Sequence, residues 1–135
     1  MLSKKIDDKP FLRLIGKWLK AGVLEDGKVI NPTTGTPQGG IISPMLANIY
    51  LHYVLDEWFE DVVKAHCMGK AYLCRYADDF VCAFQYENDA KRFFKALGYR
   101  LNKFGLSLAE EKTRMIRFSK HHNKDKTWFE FLGFE

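Results

Sequence analysis

Asp78 and Asp79 are the side chains whose type and placement most directly point to chemistry. Adjacent carboxylates repel one another, and a turn that needs an acid for its geometry needs only one. Two acids bounded by Tyr76 and by the apolar run Phe80-Val81-Cys82 have a physical use in holding a divalent cation that neutralises them. In phosphoryl transfer, two such ions about 4 Å apart activate the attacking oxygen and stabilise the leaving one. Taken alone the pair is a weak signal, because acids are common in turns.

Other groups sit at suggestive places. Gly35, Gly39 and Gly40 leave backbone uncovered around Pro37 and Gln38, so a ligand can approach the main chain closely. From Lys112 to Lys126 run six basic residues (Lys112, Arg114, Arg117, Lys120, Lys124, Lys126) against the single acid Asp125, with His121 and His122 among them. Such a stretch suits a phosphate backbone, and equally a solvated loop. Cys67, Cys74 and Cys82 are odd in number and show no Cys-x-x-Cys spacing, which argues against a disulfide scaffold or zinc knuckle. They are expected to be buried small hydrophobes in a reducing compartment.

The elements that must position these groups follow from periodicity and punctuation. A helix is expected from about Asp8 to Ala21, with Pro10 in its first turn, an apolar stripe of Leu12, Ile15 and Leu19, and Gly22 beyond its end. Val23-Leu24 and Val29-Ile30 flank a hairpin turn around Asp26-Gly27. After the Asn31–Gly40 loop, Ser43 and Pro44 mark the start of a helix to about His66. Its first half is apolar on several sides and expected to be deeply buried; its second half should emerge with Asp56, Glu57, Glu60 and Asp61 opposite Leu55, Phe59 and Val62. Ala71–Tyr76 and Phe80–Gln85 form an antiparallel hairpin with both carboxylates at its tip. A helix from Asn88 or Asp89 to Phe104 carries Phe93, Phe94, Leu97, Leu101 and Phe104 at helical spacing and stops at Gly105. Thr113–Phe118 and Thr127–Phe134 are expected strands. The fold class is α+β, one domain over residues 1–135, which is long enough for one core.

With these elements in place, a resemblance becomes specific. Gly35-Thr36-Pro37-Gln38-Gly39-Gly40-Ile41-Ile42-Ser43-Pro44, joined to Leu46-Ala47-Asn48-Ile49-Tyr50-Leu51, closely resembles the reverse-transcriptase motif that opens a long palm helix. Tyr76-Ala77-Asp78-Asp79 matches the catalytic turn of the same family. Gly105-Leu106-Ser107-Leu108 with Glu111-Lys112-Thr113 looks like the next motif, and Phe131-Leu132-Gly133-Phe134 resembles the primer-grip strand. The four stand in family order from about Leu19 to the end, and the first is worded like group II intron-encoded (maturase) enzymes rather than retroviral ones. The resemblance implies a polymerase palm-like antiparallel sheet covered by helices on one face. It implies RNA-directed DNA polymerase chemistry with two Mg²⁺ ions. Asp78 and Asp79 would be metal ligands, Lys112 would act on the departing pyrophosphate, and Phe131, Leu132 and Gly133 would form the primer grip. Pro37, Gln38, Gly39, Gly40, Tyr76 and Ala77 would line the nucleotide and template pocket. The implied partners are RNA template, DNA primer, intron RNA and deoxynucleoside triphosphates.

The family palm begins with a strand bearing another aspartate, and neither Asp7 nor Asp8 has the apolar surroundings of that motif. Fingers, thumb and this first catalytic strand are expected to be absent from the chain. Weak or absent magnesium binding, no polymerase activity in isolation and self-association through an exposed sheet edge are the corresponding expectations. A noncatalytic RNA-binding role in intron splicing is the competing reading. No stretch has the length of a membrane span, and a cytoplasmic location is expected.

Overall fold

The computed structural model describes residues 1–20, 42–118 and 129–133, and the backbone alone at 23–25 and 28–30. The chain divides into two compact units, 1–53 and 54–135. In the first, a 3₁₀ turn at Leu2–Lys4 precedes helix α1, Lys9–Lys20. Asp8 caps α1 by accepting the Phe11 backbone N–H at 2.9 Å, which gives this carboxylate a structural task. Only Ile15 of the expected stripe is buried; Leu19 lies exposed, as do Phe11, Leu14 and Trp18. Strands β1 (Val23–Glu25) and β2 (Lys28–Ile30) pair antiparallel with Glu25 opposite Lys28, while Asp26 and Gly27 of the expected turn lie outside the described residues.

Helix α2, Ser43–Leu51, starts at Ser43 itself, with Pro44 in the first turn, where a missing N–H is not needed. None of its residues is buried, contrary to the expectation for this half of the helix. An element apolar on several sides carries no direction towards a core, and a 53-residue unit has little interior to offer.

A π-helical turn, His52–Asp56, carries the chain into the second unit, and a second one, Phe59–Val63, leads to α3, Lys64–His66. Val54, Leu55 and Phe59 are fully buried here. The wider turns shift the phase, so Val63 rather than Val62 joins the buried set. Strands β3 (Ala71–Tyr76) and β4 (Asp79–Phe84) pair antiparallel, and helix α4 spans Glu87–Lys103. Phe59, Phe84 and Phe93 meet in a triangle with ring centroids 5.1–6.0 Å apart, and Leu97 and Leu101 extend that core along α4. Phe94, expected on the same stripe, is exposed.

The end of α4 shows why Gly105 matters. Its N–H bonds the Asn102 carbonyl at 3.1 Å, the Leu106 N–H bonds Leu101 O at 3.0 Å, and Gly105 has φ +69°. This is a Schellman cap, which needs a left-handed residue and so favours glycine. Beyond it, Thr113–Phe118 has no regular structure, contrary to the strand expectation. Leu132 (φ +55°) and Gly133 (φ +78°) turn the backbone where an extended strand was expected, leaving Phe131 as an isolated bridge. A residue without Cβ favours the turn over continuation of the strand. The Phe118 and Phe129 rings still meet edge to face at 5.8 Å. The α+β class thus stands, with two-stranded sheets among the described residues.

The carboxylate hairpin as candidate active site

Alternation along β3 and β4 gives the hairpin two unlike faces. Ala71, Leu73 and Arg75 pair with Phe84, Cys82 and Phe80 on the face towards the aromatic core; Tyr72, Cys74 and Tyr76 pair with Ala83, Val81 and Asp79 on the open face. The register closes on Tyr76 opposite Asp79, so Ala77 and Asp78 are the whole of the loop. Ala77 has φ +53° and Asp78 does not share that sign, as in type II′ loops where glycine is usual at the first position. Holding alanine there costs about 1–2 kcal/mol.

Asp78 and Asp79 are both exposed, and among the described residues neither forms an ion pair. Tyr76 stands exposed beside Asp79 as its cross-strand partner. Lys112 lies exposed in a turn where its N–H bonds Ala109 O at 3.0 Å, and no ion pair joins it to either carboxylate. Phe131 is half-buried, while Leu132 and Gly133 are exposed. Pro37, Gln38, Gly39 and Gly40 lie outside the described residues, as does the basic run from Lys120 to Lys126.

Oxygen-only donors unclaimed by cations suit a magnesium ion in kind. In number they fall short: among the described residues no group of three or more potential ligands gathers. Asp78 and Asp79 would hold such an ion, which when bound supplies charge neutralisation and Lewis-acid activation.

A pair that sequence reasoning missed reaches the tip. Arg75 donates from Nε and Nη2 to the two carboxylate oxygens of Asp56, at 2.7 and 2.6 Å, and from Nη1 to Ala77 O at 2.6 Å. Both side chains are largely buried, at 12% and 25% exposure. The hydrogen bonds from Arg75 to Asp56 hold the guanidinium pKa above its ordinary value, and burial works against that shift. A charged residue at an inward position of an apolar strand was the available signal. The sequence pattern instead predicts a solvent-facing Asp56.

At the far end of the hairpin, buried Asp89 accepts the backbone N–H groups of Met68 and Gly69 at 3.0 and 3.2 Å and pairs with Arg92 at 2.6 Å. Gly69 is required there: a Cβ would meet the Tyr86 ring at 2.6 Å. Burial works to raise the Asp89 pKa, but the Arg92 hydrogen bond and those two N–H groups outweigh it and leave the carboxyl below its ordinary value. Stability from a depressed carboxyl is present above the unfolded pKa and lost as pH falls through the folded one. Asp89→Asn is therefore expected to lower the thermal midpoint at pH 7 and to flatten its decline below about pH 4, read by circular-dichroism melts across pH. An unchanged acid limb would remove this role. The three cysteines differ from expectation: Cys74 is exposed, while Cys67 and Cys82 are half-buried and burial pushes the Cys82 thiol up to about 12.

The family model described as reverse transcriptase (RNA-dependent DNA polymerase) matches residues 3–135. Among curated proteins, the chain is 54% identical over 52 residues to the group II intron-encoded protein LtrA of Lactococcus lactis subsp. cremoris, covering 38% of this chain and 9% of that protein. It is 52% identical over 62 residues to an uncharacterized 91 kDa protein in the cob intron of Schizosaccharomyces pombe, covering 46% and 8%. A longer match, 26% identical over 126 residues, is to the putative COX1/OXI3 intron 2 protein of Saccharomyces cerevisiae, covering 93% of this chain and 13% of that one. The chain thus spans a small part of each relative's length. Among the described residues no helix is long and apolar enough to cross a membrane. A match over nearly the whole chain, with intron-encoded proteins among its relatives, places this chain in the reverse transcriptase (RNA-dependent DNA polymerase) family, on the group II intron-encoded side.

Proposed function

We propose that the chain is the palm portion of an RNA-directed DNA polymerase, in which Asp78 and Asp79 hold magnesium for two-metal nucleotidyl transfer onto a DNA primer paired with an RNA template. The observation that carries this reading is the hairpin tip, where two exposed carboxylates, without an ion pair among the described residues, stand at a two-residue loop (Asp78) and at the first position of the strand that follows it (Asp79). Lys112 would serve the leaving pyrophosphate, Pro37, Gln38, Gly39 and Gly40 the nucleotide and template, and Phe131, Leu132 and Gly133 the primer end. Two carboxylates alone leave magnesium most of its waters, and reacting atoms must be held near contact for catalysis. The 135-residue chain by itself is therefore expected to extend no primer. Exchanged for the matching segment of an active reverse transcriptase, the same residues are expected to support synthesis on a primed RNA template. Product from the chain alone would refute the first expectation, and an inactive but folded exchange would refute the polymerase reading.

A second reading, RNA binding in aid of intron splicing, is favoured by the basic residues between Lys112 and Lys126. RNA affinity that falls steeply with salt and survives Asp78→Ala with Asp79→Ala would select it.

Each hairpin strand keeps one unpaired edge among the described residues. Such edges pair readily with other chains, so concentration-dependent self-association is expected in light scattering. A constant monomeric mass over a hundredfold range of about 1–100 μM, where unprotected edges associate, would contradict it.

A further inference from the structure

We propose that Arg75 and Asp56 are positioning residues for the two carboxylates, acting as a clamp that sets the backbone of their turn. The inference rests on the polymerase reading for the purpose of the clamp, and on geometry alone for its existence. A two-residue loop leaves the carbonyl of its first residue outside the strand ladder. Here that carbonyl, Ala77 O, accepts Arg75 Nη1 at 2.6 Å. It belongs to the peptide joining Ala77 to Asp78, so fixing it fixes the plane from which the Asp78 side chain departs and the path into Asp79. The same guanidinium is itself fixed by the two-pronged contact with Asp56 at 2.7 and 2.6 Å. Asp56 closes a π-helical turn whose residues Val54 and Leu55 are fully buried, so the clamp is anchored in the core of its unit.

The clamp also accounts for the alanine at φ +53°, a conformation that a free loop of this composition would avoid. Only a planar fork can bind a carboxylate with two N–H groups and reach a carbonyl with a third. Lysine offers the charge without that geometry. Metal affinity depends on such supporting contacts: losing one typically weakens it about 10–100-fold.

The test uses the isotope-labelled 135-residue chain and the variants Arg75→Lys and Asp56→Asn. In metal-free samples, φ-dependent NMR couplings are read at Ala77 and chemical shifts at residues 76–79, with α4 signals as the control. In both variants Ala77 is expected to leave its left-handed conformation while α4 stays unchanged. Manganese(II) is then the probe, and the concentration that broadens the Asp78 and Asp79 amides is expected to rise about tenfold in Arg75→Lys. A left-handed Ala77 in Arg75→Lys would overturn the proposal, because charge alone would suffice. Equal disturbance of the turn and α4, or loss of folding in both variants, would also overturn it, because the pair would then only stabilise the unit. If manganese does not broaden the tip of the unaltered chain, in line with the weak or absent metal binding expected of it, the metal-free couplings alone decide the clamp.

Discussion

Asn in place of Asp79, within the chain exchanged into an active reverse transcriptase, is expected to lower the rate of RNA-templated DNA synthesis about a thousandfold or more. The substitution keeps size and shape, and Asp79 already sits in a paired strand, so the hairpin should survive. What it removes is one of two charges at the tip. Metal-borne charge stabilisation is worth several kcal/mol, and about 4 kcal/mol corresponds to three decades of rate. Asp78→Asn should act in the same sense, and the double variant should be little worse than the poorer single one, because on the proposed reading the two carboxylates serve one site. Single-turnover primer extension at saturating nucleotide separates this loss from weakened binding. A rate within tenfold of the unaltered protein would show that the tip does not carry the chemistry.

Phe59→Ala is expected to cost the second unit about 3–5 kcal/mol, the usual range for emptying a buried aromatic site. Phe59 is fully buried, and its ring meets Phe93 edge to face at 5.5 Å and Phe84 at 6.0 Å. Because it touches both the hairpin and α4, neither can move to fill the void without losing the other. Since a whole domain is stable by only about 5–15 kcal/mol, such a loss removes a large share. Phe94, one residue from Phe93 but 43% exposed, supplies the control: its truncation should change stability by only about 0.5 kcal/mol. Urea unfolding followed by circular dichroism compares the two, and equal losses would contradict the packing described for α4.

How much could be read from residues alone differs from element to element. The hairpin, α1, the small β1–β2 pair and α4 with its glycine stop were all legible, because period and punctuation agree there. The two carboxylates were placed at the tip correctly, since Tyr76 and Asp79 flank a loop too short to put them elsewhere. Burial in the helical stretch 43–66 is legible only in part. Leu55 and Phe59 are buried as their spacing predicts, but the apolar first half, Ser43–Leu51, buries none of its residues, and across the π-helical turns Val63 is buried in place of Val62. A pattern read at 3.6 residues per turn cannot anticipate that change of phase. Arg75 was missed for another reason: its partners lie nineteen residues back and two residues ahead, a combination no local pattern displays. The expected strand at Thr113–Phe118 had the composition but pairs with no strand among the described residues, and strand propensity depends on such neighbours.

The shortness of the loop between Tyr76 and Asp79 ties distant parts of the hairpin together. Deleting or inserting a single residue anywhere in β3 would swap its sides, sending Tyr76 inward towards Asp56 and Arg75 out into solvent. Phe84, locked among Phe59 and Phe93 at the opposite end, allows no compensating slide of β4. The strands therefore work as a ruler: a count of residues begun in the aromatic core determines which side chains arrive at the tip.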